Sequence, residues 1–384
     1  MGKIKGQLAA AKARQEMPLD RGAPSVLAVL ILLCVLGFTT LLEVCTPETR
    51  EVSNAPDSTR SEQATRSATT GSSDKTTARS AEETTARPAE ETSNAKPPQV
   101  TEAAAADIEE SSIRTHLSYL TGASPAPLKG GAVTIAERGS VEGRRAAAGY
   151  MEESFEEMGI PARIVDFASD GSRGFNVEAT LKGNGGEKHL WVTAHLDSVS
   201  VPGANDNASG LVSILLTARA LKRLDPEHTI HFVAYDLEEV GMVGSSVYVR
   251  DTVAGIREQG GERAIIGNIN SDMIGYEPDV FDALVGTCDQ AGTIDDALQR
   301  ASKAIDSPIY LSDICLGPSD HIRFWEAGLP AVVLVEGVGY DAYPWYHQPD
   351  DTVDKLNITY LRSMIRLTAA TTALLAAPEN GSRQ

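Results

Sequence analysis

The sequence predicts an α/β domain with a mixed, mostly parallel central sheet flanked by helices, preceded by one N-terminal transmembrane helix and a disordered stalk. Three observations predict it. Short apolar runs alternate with helical stretches between residues 107 and 377, an uncharged apolar run follows a basic N-terminal flank, and a Ser/Thr-rich stretch separates the two. The 384 residues carry 34 Lys and Arg against 53 Asp and Glu, a net charge of −19. So acidic a chain excludes a protein that reads nucleic acid through a basic face. Its four Cys include no CxxC pair, which excludes a disulfide framework and a zinc knuckle.

In chain order, residues 1–25 hold Lys3, Lys5, Lys12, Arg14 and Arg21 against only Glu16 and Asp20, and an uncharged apolar run from Val26 to Leu42 lies in an expected anchor at 26–44. The seventeen residues of the run at about 1.5 Å each approach the thickness of a hydrocarbon core of about 30 Å, and flanking residues extend the span. Basic residues before it and Glu43, Glu48 and Glu51 after it place the N-terminus in the cytoplasm and the remainder outside. No small-residue cleavage pattern follows, so an uncleaved membrane anchor is expected. Residues 45–105 read as a disordered stalk: from 46 on they contain no Leu, Ile, Met or aromatic residue, and they repeat TTARSAEE as TTARPAEE. Such a segment lacks the apolar area to offset the entropy of ordering.

Residues 106–384 are expected to form the globular domain, and their 22 basic and 40 acidic residues account for −18 of the charge. Tyr150 to Met158 has helical apolar spacing and ends at Gly159 and Pro161. His189 to His195, Thr229 to Tyr235, Ile265 to Ile269 and Pro330 to Val335 read as buried strands, and Leu211 to Leu224 and Tyr360 to Ala377 as helices. Strands that are apolar throughout belong to a sheet covered on both faces.

Open α/β sheets bind ligands at the carboxyl ends of their strands, so the polar residues that follow each run are informative. The first run ends in His195-Leu196-Asp197 and leads to a turn from Gly203 to Gly210 that contains Asp206. The second ends in Asp236-Leu237-Glu238-Glu239, the third in Asn270-Ser271-Asp272, and the final segment holds Tyr346-His347-Gln348-Pro349-Asp350-Asp351. Singly, each has an ordinary explanation: a boundary histidine, acids at a helix start, an N-cap. Together they place several carboxylates and two imidazoles at one end of a sheet, where they repel unless a cation sits among them. A mixed imidazole and carboxylate set suits zinc better than magnesium or calcium.

These residues resemble the co-catalytic zinc aminopeptidases of metallopeptidase family 28. The motifs are H-x-D at His195, G-x-x-D-x-x-S-G from Gly203 to Gly210, the Glu238-Glu239 pair followed by G-x-x-G-S, D-M-I-G from Asp272, S-D-H-x-x-F from Ser319 to Phe324, and Tyr346-His347. The resemblance runs from about Ile113 to Ala377. It implies the zinc exopeptidase, phosphorylase/hydrolase-like fold and two Zn2+ ions per chain. Asp206 would bridge them, His195 and Asp272 would complete one site, and Glu239 and His347 the other. It further implies Glu238 as general base and acid, Tyr346 as hydrogen-bond donor to the oxyanion, and Asp197 as the partner that orients His195. Asp320 and His321 match a motif lining the site, and Cys288 and Cys315 fall where related enzymes can carry a disulfide. Asn207 stands where some members have a second Asp. Asn357 and Asn380 are better glycosylation candidates than the sequon at Asn207.

The function expected is a membrane-anchored di-zinc aminopeptidase acting on peptides with a free N-terminus. A single-zinc glutaminyl cyclase-like enzyme and an inactive receptor-like ectodomain share the fold, but the first has no use for His195 and the second would have lost a ligand or the base. G-x-S-x-G and HExxH are absent, against serine hydrolases and one-helix zinc proteases. Carboxypeptidase and dipeptidase activities stay open, because the loops that read the substrate cannot be placed from sequence.

Overall fold

The structure, a computed structural model, describes residues 97–169, 171–278 and 281–378. The chain divides into two units, 1–83 and 84–384, and every described residue belongs to the second. The expected cytoplasmic segment, the membrane anchor at 26–44 and most of the stalk lie outside the described residues. Among the described residues no helix is long and apolar enough to cross a membrane.

In chain order the elements are α1 (Pro97–Ala106), α2 (Glu110–Leu120), the short antiparallel pair β1 (Ala126–Leu128) and β2 (Gly131–Val133), α3 (Val141–Glu157), β3 (Ala162–Ser169), β4 (Ser172–Leu181), β5 (His189–His195), α4 (Gly210–Lys222), β6 (Thr229–Tyr235), α5 (Val243–Tyr248), α6 (Ala254–Gly260), β7 (Ile265–Ser271), β8 (Asp282–Gly286), α7 (Ile294–Ala304), β9 (Tyr310–Ile314), α8 (Ile322–Glu326), β10 (Ala331–Glu336) and α9 (Ile358–Leu375). Eight strands form one sheet in the order β3-β4-β6-β5-β7-β10-β8-β9. The central four, β6, β5, β7 and β10, are mutually parallel. The β3–β4, β4–β6 and β10–β8 pairs are antiparallel and β8–β9 is parallel, so the sheet is mixed and mostly parallel, as expected.

The central strands form from apolar runs because both of their faces are covered. After a half-buried first residue, every residue of β5 and β6 is buried, and all of β10 is. Helix α4, GLVSILLTARALK, is buried at eleven positions and packs beside α9. The Asn357 side chain caps α9 by accepting from the Tyr360 amide, and its Nδ2 donates to the Glu277 carbonyl at 3.0 Å. Both ends of that amide are thus engaged in the fold.

The stalk expected to run to residue 105 ends earlier, because Pro97–Ala106 is helix α1. Alanine, the best helix former, supplies TEAAAA, and Ala104 and Ala105 are fully buried where α1 packs on α9. Arginines serve the carbonyls that the helix end leaves open: Arg366 donates to Ala105 at 3.3 Å, Arg219 to Asp107 at 3.1 Å and Arg362 to Ile108 at 2.6 Å. Burial here comes through small residues and guanidinium groups, which a search for large apolar residues overlooks.

Candidate metal centre

Strand register brings the polar residues to one level. His195 pairs with Tyr235 across β5 and β6, Thr193 with Asn270 across β5 and β7, and Ser271 with Leu334 across β7 and β10. Asp197, Asp236 to Glu239, Asp272 and Glu336 therefore all emerge at or just beyond the carboxyl ends of the parallel strands. Asp206 comes from the loop between β5 and α4, in which the Asp206–Asn207 peptide bond is cis. The glycines of that loop have a steric cause. Gly203 has φ of 60°, and a Cβ there would sit 2.4 Å from the Asp206 carbonyl; a Cβ on Gly210 would sit 2.5 Å from the Ser271 carbonyl.

Two ligand groups share Asp206. In one, His195 Nε2 lies 3.1 Å from Asp206 Oδ1 and 3.3 Å from Asp272 Oδ1. In the other, His347 Nε2 lies 3.1 Å from Asp206 Oδ2 and 3.0 Å from Glu239 Oε2. Each trio could hold a metal ion. Donors about 2.1 Å from a tetrahedral ion stand roughly 3.4 Å apart, which the observed separations match. The His347 Nε2 lone pair has no hydrogen-bond partner despite these neighbours, and neither does Glu239 Oε1. His195 Nε2 does bond Asp272 Oδ1, at 3.3 Å, so the unpartnered atoms are in the second trio; such converging donors fit a shared cation, and the imidazole and carboxylate mixture fits zinc. A cavity of about 40 Å³ lies among them, lined by Glu238, Tyr346, Tyr340, Met273 and Pro318 as well as four of the ligands.

The charges alone are unfavourable. Burial, with Asp320, Asp272 and Asp197 adding to it against His195, pushes the Glu238 carboxyl up to about 10. Burial and Asp206 push Glu239 up to about 8. Burial opposes charge on His195, but Asp272, Asp197 and Asp206 outweigh it and hold the imidazole well above its usual range. Asp206, buried between His195 and His347, is held below the usual carboxylate range. Protons thus occupy positions where a cation would supply the charge and return the acids to their ionised forms.

A second set of side chains fixes the first. The Asp197 carboxylate accepts from the Glu238 amide at 3.0 Å and the Glu239 amide at 3.2 Å, and so orients the glutamate pair. His195 Nδ1 bonds the Asp197 backbone carbonyl at 3.2 Å, with the carboxylate Oδ1 3.6 Å away. Asp351 accepts from the Asn205 amide at 2.8 Å and the Asp206 amide at 3.1 Å, with the Tyr343 hydroxyl donating to it. Glu336, fully buried, receives both its bonds to Asn205 Nδ2 at 2.9 Å and one from the Tyr276 amide. The buried Arg138 guanidinium donates to the carbonyls of Leu196, Pro202 and Gly203. Asn207 Nδ2 donates to the Ser271 carbonyl while its Oδ1 accepts from the Gly210 amide. An Asp at 207 could not make the first bond, and no sugar could reach this nitrogen.

All eight residues expected at the site converge there: His195, Asp197, Asp206, Glu238, Glu239, Asp272, Tyr346 and His347. Tyr346 is half-buried, with its ring stacked on His347 at 3.9 Å between centroids. Cys288 and Cys315 are bonded and tie together the chain following β8 and β9, three residues before Pro318. Asp320 and His321 depart from expectation. They are fully buried and stand behind the cavity rather than lining it. Burial and the nearby acids Asp197 and Asp272, against His195 and a bond from Ser245, push Asp320 up to about 7. Sequence reasoning did not assign Arg138, Asp351, Glu336 or Tyr340. Glu336 carries the same signal as Asp272, an acid that closes an apolar strand, whereas Arg138 carries none.

A model of peptidase family M28 matches residues 176–372. Leupeptin-inactivating enzyme 1 of Streptomyces exfoliatus is 30% identical over 66% of this chain and 59% of its own length. Aminopeptidase YwaD of Bacillus subtilis is 37% identical over 44% of this chain and 37% of its own length. The chain thus spans between about a third and three-fifths of these curated relatives. Among solved structures, a zinc aminopeptidase of Bacillus subtilis superposes with a TM-score of 0.59 at 18% identity, covering 69% of this chain and 94% of that one. The LapA aminopeptidase of Legionella pneumophila gives 0.61 at 21% identity, covering 77% and 79%. At these identities the superpositions establish a common fold.

Proposed function

Because the chain belongs to peptidase family M28, we propose that it is an aminopeptidase that holds two zinc ions and removes the N-terminal residue from peptides. The observation that carries this reading is Asp206, whose two oxygens face two separate histidine and carboxylate groups. His195, Asp272 and Asp206 would hold the first ion, and Glu239, His347 and Asp206 the second. Zinc there would supply a water of lowered pKa and polarise the scissile carbonyl.

The chain's own groups do the rest. Glu238 lines the cavity but belongs to neither ligand trio, so its carboxylate is free to take the proton of the attacking water and deliver it to the leaving amine. Asp197 holds the Glu238 and Glu239 amides, so that one side chain turns to the metal and its neighbour to the water. Tyr346 donates to the oxygen on which charge develops, an interaction stronger in the transition state than in the substrate. The basic flank and apolar run at 1–44 support a domain tethered outside the cytoplasm.

The test compares aminoacyl anilides that carry a free amino group with the same compounds acetylated at nitrogen. Hydrolysis confined to the free amines is expected. Equal or faster cleavage of the blocked compounds would refute aminopeptidase action while leaving a zinc hydrolase standing.

A further inference from the structure

A second phenol reaches the cavity. Tyr340 follows β10 on a short 3-10 turn, Tyr340–Ala342, six residues before Tyr346. It lines the same cavity, and its hydroxyl is enclosed yet has no hydrogen-bond partner among the described residues. Both phenols line this cavity together with Asp206, Glu238, Glu239 and Asp272.

An enclosed hydroxyl without a partner loses its bonds to water and gains nothing in return, so persistent orphans call for an explanation. A packing role does not explain this one, since phenylalanine would fill the same space without the penalty. The position is also well fixed. Glu336, four residues earlier, is locked by Asn205 and the Tyr276 amide, and Tyr343, three residues later, donates to Asp351. The hydroxyl is thereby held ready for a partner that enters the cavity, which is the condition for electrostatic stabilisation without reorganisation.

We propose that Tyr340 is a further catalytic residue, whose hydroxyl donates a hydrogen bond to the oxygen of the reacting carbonyl within this cavity. No bond is made or broken by Tyr340 itself; its proton stays on the phenol while charge on the substrate oxygen grows. The inference rests on the aminopeptidase reading above.

The experiment uses the zinc-loaded full chain and its Tyr340→Phe variant. Three readouts are required: zinc content, steady-state kinetics on leucine anilide, and calorimetric binding of an aminoalkyl boronic acid, which mimics the tetrahedral carbon, against binding of free leucine. Tyr340→Phe is expected to keep its zinc and its KM within about threefold, to lose about 10²-fold in kcat, and to bind the boronic acid about 10- to 10²-fold more weakly with leucine unaffected. Unchanged kcat and boronic acid affinity, to within about twofold, overturn the proposal. So does loss of zinc or of folding in the variant, which would make Tyr340 structural. Failure of the underlying reading shows separately, as a wild-type chain that does not cleave leucine anilide.

Discussion

The two halves of the proposed metal centre are held by different kinds of chain. His195 is the last residue of β5, and Asp272 follows β7 with its amide still bonded to the Leu334 carbonyl at 3.0 Å, so the sheet ladder itself sets both ligands. Their side chains are 1% and 7% exposed. Glu239 and His347 come from loops, His347 adopts a positive φ of 58°, and its side chain is 34% exposed. A ligand fixed by a ladder moves only if the core moves, whereas a ligand fixed by a few loop hydrogen bonds moves when those bonds open. The His195 and Asp272 half is thus expected to be the more rigid one, and the second half opens to solvent through His347, since Glu239 is only 9% exposed.

The largest expected effect lies outside both halves. Glu238→Gln keeps both zinc ions but loses about 10² to 10⁴-fold in kcat; equal loss of zinc would move Glu238 into the ligand set. Asp351→Asn comes next. It removes one acceptor from beneath the Asp206 amide, and zinc affinity is expected to fall about 10- to 100-fold in both halves, because the shared ligand is displaced. A loss confined to one half would show that Asp206 does not bridge.

A smaller contrast compares the halves directly. His347→Ala retains its remaining zinc against a chelator at least about tenfold longer than His195→Ala does, since the metal left behind lies in the buried half. Equal release rates would erase the distinction.

The smallest effect lies far from the metal. Burial, then Arg219, lowers His116 to about 4, and burial, then His231 and His228, lowers His189 to about 4. An unfolded chain takes up these protons near pH 6.5, while the fold refuses them until about pH 4. Their contribution is therefore present above pH 6.5 and lost as pH falls towards 4. Urea midpoints should decline across that window equally in the wild type and in His347→Ala. A midpoint independent of pH there would contradict the assignment.

Burial determines how much of this was legible in the sequence. Strands covered on both faces announce themselves, so β5 and β6 match their apolar runs residue for residue. The outer strands do not: β3, ARIVDFAS, and β9, YLSDI, mix charged with apolar residues because one face or edge meets water. The proposed ligands and general base were readable because they fall in dense motifs, most of them at or just after a strand end. Asp351 was readable only as part of a polar segment, since its role is to accept two backbone amides whose position depends on the Asp206 loop. Arg138 gave no signal, because its five donors serve carbonyls, and any residue type presents a carbonyl.

The most direct test counts metal. After loading and exhaustive dialysis, the wild-type chain should hold two zinc ions by elemental analysis, and Asp206→Ala should hold fewer than one, because both trios lose their common member. One zinc per wild-type chain, or two retained by Asp206→Ala, would contradict a centre bridged by Asp206.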